Sequence, residues 1–157
     1  MIFLLLLFDF SHAAERPNIL FILADDLGWG DVSWNNDLVK STPFLANMAK
    51  DGAVLKQSYS AHRCTPTRAS LLTGRYAFRF GLGADAISKE NPVGMDLGEK
   101  LLPAYLKEVG YETHLVGKWH LGHCNSSFHP HNRGFDSFYG HYGGSMDYFE
   151  HTKVIIL

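Results

Sequence analysis

Asn18-Ile19-Leu20-Phe21-Ile22-Leu23-Ala24 runs straight into Asp25-Asp26 and then Leu27-Gly28. A continuous apolar run of this length, ended by acids and a glycine, matches a strand buried on both faces, as in a parallel sheet. Downstream, Thr42-Pro43 opens a helix, with Thr as N-cap and Pro at the first helical position. Phe44, Leu45, Met48 and Ala49 fall on one face of it, and Gly52 closes it. Residues 53–59 predict a second strand. Residues 66–73 predict a helix ended by Gly74. Residues 103–109 predict another, ended by Gly110, with Leu102, Leu106 and Val109 as its buried positions. Residues 112–116 alternate and predict a strand. The order is strand, helix, strand, helix, then helix and strand. That alternation defines an α/β fold, a mainly parallel sheet flanked by helices. In such sheets ligands sit beyond the carboxyl ends of the strands. Asp25-Asp26 and Lys118 to His120 both fall at such ends, so residues distant in sequence are expected to converge.

Composition narrows the classes. The chain has 157 residues, 46% hydrophobic and 19% charged, which excludes a disordered or fibrous chain and fits one domain or part of a larger one. Fourteen basic and sixteen acidic residues give a net charge of −2, so there is no basic field to grip nucleic acid. Two cysteines exclude a disulfide scaffold.

The ends carry their own signals. Residues 2–8 are apolar and too short to span a bilayer, which takes about 20 residues. Ser11 and Ala13 follow as small residues, as before a signal-peptide cut, so residues 1–14 are expected to be removed and 15–157 to form the mature part. No Lys or Arg precedes the run, and a buried N-terminal strand is the alternative. Asn125-Ser126-Ser127 is an N-glycosylation sequon and agrees with secretion. The apolar ending 152–157 has the look of a chain cut short.

Three stretches carry chemistry. Adjacent carboxylates at Asp25 and Asp26, directly after an apolar strand, are costly unless a cation lies between them. Ca²⁺ or Mg²⁺ with oxygen ligands would satisfy them, and a solvated turn is the alternative. Cys64-Thr65-Pro66-Thr67-Arg68 places a cysteine just before a helix N-terminus, where free N–H groups favour anions. Arg68 lies one turn on and can fold back toward position 64, so position 64 is a nucleophile in an anion cradle. A buried cysteine, or a disulfide to Cys124, is the other reading of Cys64. In Gly117-Lys118-Trp119-His120-Leu121-Gly122, an extended chain points Lys118 and His120 the same way and Trp119 into the core. Lys118 would supply a point charge for an oxyanion, and His120 a base or acid near neutral pH. A zinc site from His62, Cys64, His120, His123 and Cys124 lacks finger or ribbon spacing.

These motifs resemble the sulfatases. Cys64-Thr65-Pro66-Thr67-Arg68, with Leu72-Thr73-Gly74-Arg75, looks like the signature in which the cysteine is oxidised to formylglycine. Leu23-Ala24-Asp25-Asp26-Leu27-Gly28 is similar to the family's N-terminal metal motif, and residues 117–122 to its second signature. Arg133-Gly134-Phe135-Asp136 and Asp147-Tyr148-Phe149 look most like the arylsulfatase B subgroup. The resemblance implies the alkaline-phosphatase-like fold and sulfate ester hydrolysis, on a substrate such as an N-acetylgalactosamine-4-sulfate of a glycosaminoglycan. It implies a formylglycine hydrate at position 64 that attacks sulfur and later expels sulfate. It also implies one Ca²⁺ held by Asp25, Asp26 and position 64, Arg68 on the hydrate, Lys118 on sulfate oxygens and His120 taking the proton of the elimination. A formylglycine-generating enzyme is the implied maturation partner, and the lysosome or extracellular space the implied destination. Family members are longer, so residues 15–157 would be the N-terminal part of a catalytic domain, inactive and unstable alone, with an apolar sheet edge exposed. Two other functions compete. A truncated product could bind sulfated glycans through Arg63, Arg68, Arg75 and Arg79. A phosphoesterase of the same frame would use Ser or Thr with zinc, which Cys64, Pro66 and Arg68 oppose.

Overall fold

A computed structural model describes residues 16–151. The expected leader and the 152–157 ending lie outside them. The chain divides into two compact units, Met1–Ser60 and Ala61–Leu157.

In the first unit, a short 3-10 turn at Trp29–Asp31 precedes α1, Pro43–Asp51, which ends at Gly52 as the proline and glycine predict. Thr42 occupies the N-cap position, but its hydroxyl bonds elsewhere: Oγ1 accepts from the Ser33 N–H at 2.9 Å and meets Ser33 Oγ at 3.0 Å. The expected apolar face is not buried. Phe44 and Leu45 are exposed, and Met48 and Ala49 are half-buried. The strand expected at 18–24 is not formed among the described residues beyond a single bridge at Ile22, and Ile19, Leu20 and Ile22 are exposed. The reason is that a central strand needs ladder partners on both edges, which its own residues cannot supply. Residues 53–59 are likewise irregular, with a turn at Lys56-Gln57 instead of the expected strand.

The second unit holds the core. Here α2 is Cys64–Thr73, α3 is Leu102–Glu108, β1 is His114–Lys118 and β2 is Ser137–His141. The strands pair in parallel, from His114↔Ser137 to Lys118↔His141, which bears out the parallel α/β expectation. Pairing is close at Gly117↔Gly140: a Cβ on Gly140, whose φ is +158°, would lie 1.9 Å from the Gly117 carbonyl oxygen. Gly74, at φ +67°, ends α2 by donating its N–H to Ser70 O at 2.8 Å.

Two expectations shift. β1 begins two residues later than predicted, because Thr113 is engaged sideways. Its N–H and hydroxyl both meet Asp136 Oδ2, at 2.8 and 3.0 Å. Lys107 on α3 bonds Asp136 Oδ1 at 2.6 Å, so one carboxylate joins α3 to the entrances of both strands. These donors hold the Asp136 carboxyl well below the usual range, at about 2, the Lys107 hydrogen bond contributing most. At the start of α3 the buried residues are its N-cap Leu101 and Pro103; Leu102 and Val109 are exposed and Leu106 half-buried, against expectation. The helix is only two turns long and meets the core through its N-terminal end.

That core comprises Ala69, Ala77, Met95, Leu101, Trp119, Leu121 and Phe135. Trp119 stands edge-on to Phe135 at 6.1 Å and donates Nε1–H to Phe128 O at 2.9 Å. Met95 N–H donates to Leu121 O at 2.8 Å, beside an antiparallel bridge between Gly94 and Gly122. Arg133, buried, donates Nη2 hydrogens to the carbonyls of Asp96 and Glu99, both at 2.9 Å. Burial lowers its pKa, and Asp96 and Glu99 oppose that shift. On the opposite side of the two-stranded sheet, Val116 and Tyr139 face water as an apolar pair.

Candidate active site

The second unit brings Cys64, Arg68, Lys118 and His120 onto one hydrogen-bonded frame. Cys64 is the first residue of α2 itself, two positions earlier in the helix than the proline alone predicts. It is a half-buried free thiol. Arg63, at the N-cap, makes no side-chain cap bond, and Pro66 carries no N–H, so the helix opens with uncapped amides at Cys64 and Thr65. Thr67 ties the preceding loop down, its hydroxyl meeting Arg63 O at 2.8 Å and Ala61 O at 3.0 Å. Arg68 extends from α2 to the end of β1, donating Nη1–H to Lys118 O at 2.5 Å. The helix that carries Cys64 and the end of β1 are thereby linked through one guanidinium.

His120 departs from the extended geometry expected of it. Its φ is +58°, in the left-handed region, so the alternation of β1 stops there. Trp119 enters the core as predicted, but His120 is buried too, while Lys118 is half-buried. Three bonds hold His120: its N–H donates to Tyr142 O at 3.0 Å, its carbonyl accepts from Thr65 Oγ1 at 2.9 Å, and its Nε2 donates to Ile87 O at 2.9 Å. Gly144 lies against the ring; a Cβ there would come within 2.7 Å of Cε1. Thr65, Ile87 and Gly144 are site residues that sequence reading misses. Thr65 sits inside the quoted motif with no signal of its own, and Ile87 acts through its backbone.

Asp25 and Asp26 belong to the first unit, where both are exposed. Asp26 has φ +58°, a conformation aspartate tolerates better than most residues. Their carboxylates are the hard oxygen donors that Ca²⁺ takes, but the ion needs roughly 6–8 of them. Among the described residues no group of three or more His, Cys, Asp or Glu is arranged to hold a metal. The donor set fits in kind and falls short in number. The zinc alternative also fails to assemble: His62, His123 and Cys124 each turn to a backbone carbonyl, of Ala84, Lys89 and Val93. Cys64 and Cys124 are both free, so the disulfide alternative is not formed. Asn125 is exposed at the start of a 3-10 turn, its Oδ1 accepting from the N–H and the hydroxyl of Ser127, each at 2.9 Å. Among the described residues no helix is long and apolar enough to cross a membrane.

Cys64 opens α2, Arg68 on the same helix bonds Lys118 O, and Thr65 bonds His120 O, so the two motifs lie side by side. The sulfatase family model matches residues 17–154, and the chain belongs to the sulfatase family. It is 44% identical to mouse arylsulfatase J over 143 residues, 91% of this chain and 24% of that protein. It is 44% identical to human N-acetylgalactosamine-6-sulfatase over 138 residues, covering 83% of this chain and 26% of that one. The solved structure of the PsFucS1 sulfatase from Pseudoalteromonas sp. superposes with a TM-score of 0.67 at 36% identity, over 80% of this chain and 25% of that chain. The chain thus spans about a quarter of the length of the relatives it matches. Those neighbours carry the alkaline-phosphatase-like fold expected from the sequence.

Proposed function

We propose that this chain is the N-terminal part, residues 15–157, of a catalytic domain that hydrolyses sulfate esters, with position 64 as its nucleophile. Oxidation of Cys64 to formylglycine would supply there a carbon bearing two hydroxyls when hydrated. Asp25 and Asp26, with position 64, would hold Ca²⁺, which lends positive charge to sulfate oxygens. The remaining roles fall to side chains in the second unit. Arg68 orients position 64 while its bond to Lys118 O fixes its own reach. Lys118 neutralises sulfate oxygens as a compact point charge. His120 accepts a proton, held by burial and three hydrogen bonds in one orientation. The observation that carries this reading is the join between the two signatures: Arg68 to Lys118 O and Thr65 to His120 O couple α2 to the end of β1.

The substrate is a sulfated sugar of a glycosaminoglycan. One relative is named for N-acetylgalactosamine 6-sulfate, so the 6-sulfate competes with the 4-sulfate implied by the arylsulfatase B resemblance. A secretory route, ending in the lysosome or outside the cell, with a glycan on Asn125 and maturation by a formylglycine-generating enzyme, belongs to the same reading. Because two aspartates are a short donor set, the isolated 157-residue chain is expected to be inactive.

The test is chemical. The protein is recovered from a secretory expression host, and position 64 is probed by mass spectrometry and hydrazide capture. An aldehyde at position 64 supports the enzyme. An unmodified thiol throughout sinks it in favour of a glycan-binding product. Parallel assays on 4-sulfated and 6-sulfated N-acetylgalactosamine decide the substrate.

A further inference from the structure

We infer that Thr65 is a positioning residue that decides which nitrogen of His120 takes up a proton, and that this nitrogen is Nδ1. The inference deepens the proton-accepting role proposed for His120 and rests on it. Three hydrogen bonds form a closed ring among Thr65, Ile87 and His120. The Thr65 hydroxyl donates to the His120 carbonyl at 2.9 Å. The Ile87 N–H donates to Thr65 Oγ1 at 3.0 Å. His120 Nε2 lies 2.9 Å from the Ile87 carbonyl oxygen. All three residues are buried, Thr65 completely.

A carbonyl oxygen has no proton to give, so His120 Nε2 must carry the hydrogen of the third bond. A neutral imidazole has only one N–H, so its lone pair is on Nδ1. The tautomer therefore depends on where the Ile87 carbonyl points. That carbonyl belongs to the residue whose N–H is held by Thr65, and the same hydroxyl holds the His120 backbone in its left-handed turn. One oxygen atom thus fixes both ends of the contact that sets the tautomer. Gly144 packs the ring from the side, where any larger residue would displace it. Nδ1 is buried, so in the transfer itself the hydroxyl must reach it within the closed site: its O–H bond breaks and its electron pair stays on oxygen. The proton bonds to Nδ1, giving an imidazolium with two N–H groups. Loss of that proton to water restores the Nε2–H form.

Two readouts test this. The first is the ¹⁵N imidazole spectrum of His120 in the secreted protein at a pH where the ring is neutral. The expected wild-type spectrum is that of the Nε2–H tautomer; an Nδ1–H spectrum overturns the inference without any variant. The second is kinetic, on an aryl sulfate, in the complete catalytic domain of which this chain is proposed to be the N-terminal part. Thr65→Val keeps the shape and removes both hydroxyl bonds; it is expected to lower kcat by about ten- to a hundredfold, with KM changed less than about twofold. Its spectrum is expected to show mixed tautomers. Thr65→Ser keeps the hydroxyl and is expected to stay within about threefold of wild type. Thr65→Val with unchanged kcat and tautomer overturns the inference, as does a folded Thr65→Ser that loses the Nε2–H form. Should Thr65→Val not fold, the wild-type and Thr65→Ser spectra still decide. Absence of sulfate hydrolysis in the complete wild-type catalytic domain, with the Nε2–H tautomer present, would remove the proposed function and leave the Thr65–Ile87–His120 lock standing.

Discussion

Residues 16–60 and 61–151 carry motifs of equal clarity, yet they differ in what surrounds those motifs. In the first stretch Val32 is the one buried apolar residue among those described, α1 buries nothing, and the acid pair lies exposed. In the second, Trp119 and Leu121 flank His120 inside a continuous core, and every candidate side chain hangs from a bonded backbone. The difference teaches that a motif and its scaffold are separable. Local residues specify the chemistry of a site, but only distant packing fixes its geometry.

The hardest blow to the second stretch is chemical. Cys64→Ala removes the proposed nucleophile and, in the complete catalytic domain, is expected to lower sulfatase turnover by about 10³-fold or more, measured as kcat on an aryl sulfate. Comparable activity in that variant would show that position 64 is not the reacting residue. Next in size is the core. Trp119→Ala deletes a side chain only 1% exposed and is expected to cost about 3–5 kcal/mol, read from urea or guanidinium unfolding. Phe44→Ser, at a position 73% exposed in the first stretch, is expected to change stability by no more than about 0.5 kcal/mol. Equal losses from these two substitutions would erase the contrast between the stretches.

A subtler prediction concerns pH. The Asp136 carboxyl is held at about 2 by Lys107 and Thr113, against an ordinary aspartate value of 3.8. Its folded pKa is depressed, so its contribution is fully present above pH 3.8 and falls away as the pH drops toward 2. Asp136→Asn is expected to flatten that part of the stability-against-pH curve, followed by circular dichroism between pH 5 and 2. A curve still as steep as wild type would mean that other carboxylates carry the acid sensitivity.

How much of this was legible in the sequence depends on distance along the chain. Helix ends are written locally: Pro43 and Gly52, Gly74, and Pro103 with Gly110 mark their boundaries because caps depend on the nearest few residues. The parallel frame was legible in outline from the alternation of elements. The strand at 18–24 was not, because apolar character does not create ladder partners. The start of β1 was displaced by Asp136, twenty-three residues beyond Thr113. The identities of Cys64, Arg68, Lys118 and His120 as site candidates came from residue type and order. The left-handed turn at His120 and the backbone role of Ile87 have no signature in residue type, because both arise from contacts distant along the chain.

The parallel pairing of β1 and β2 also bears on the order of folding. His114 and Ser137 are separated by 23 residues, whereas the bond from Thr65 to His120 closes a loop of 55. Loop-closure entropy rises by only about 0.6 kcal/mol per doubling, so the difference in cost is slight, but it favours the sheet. As the polypeptide emerges, β1 and β2 can zip together once His141 is free, with α2 long since synthesised. Docking of the helix bearing Cys64 is then expected to follow, so that the Thr65–His120 contact closes after the sheet.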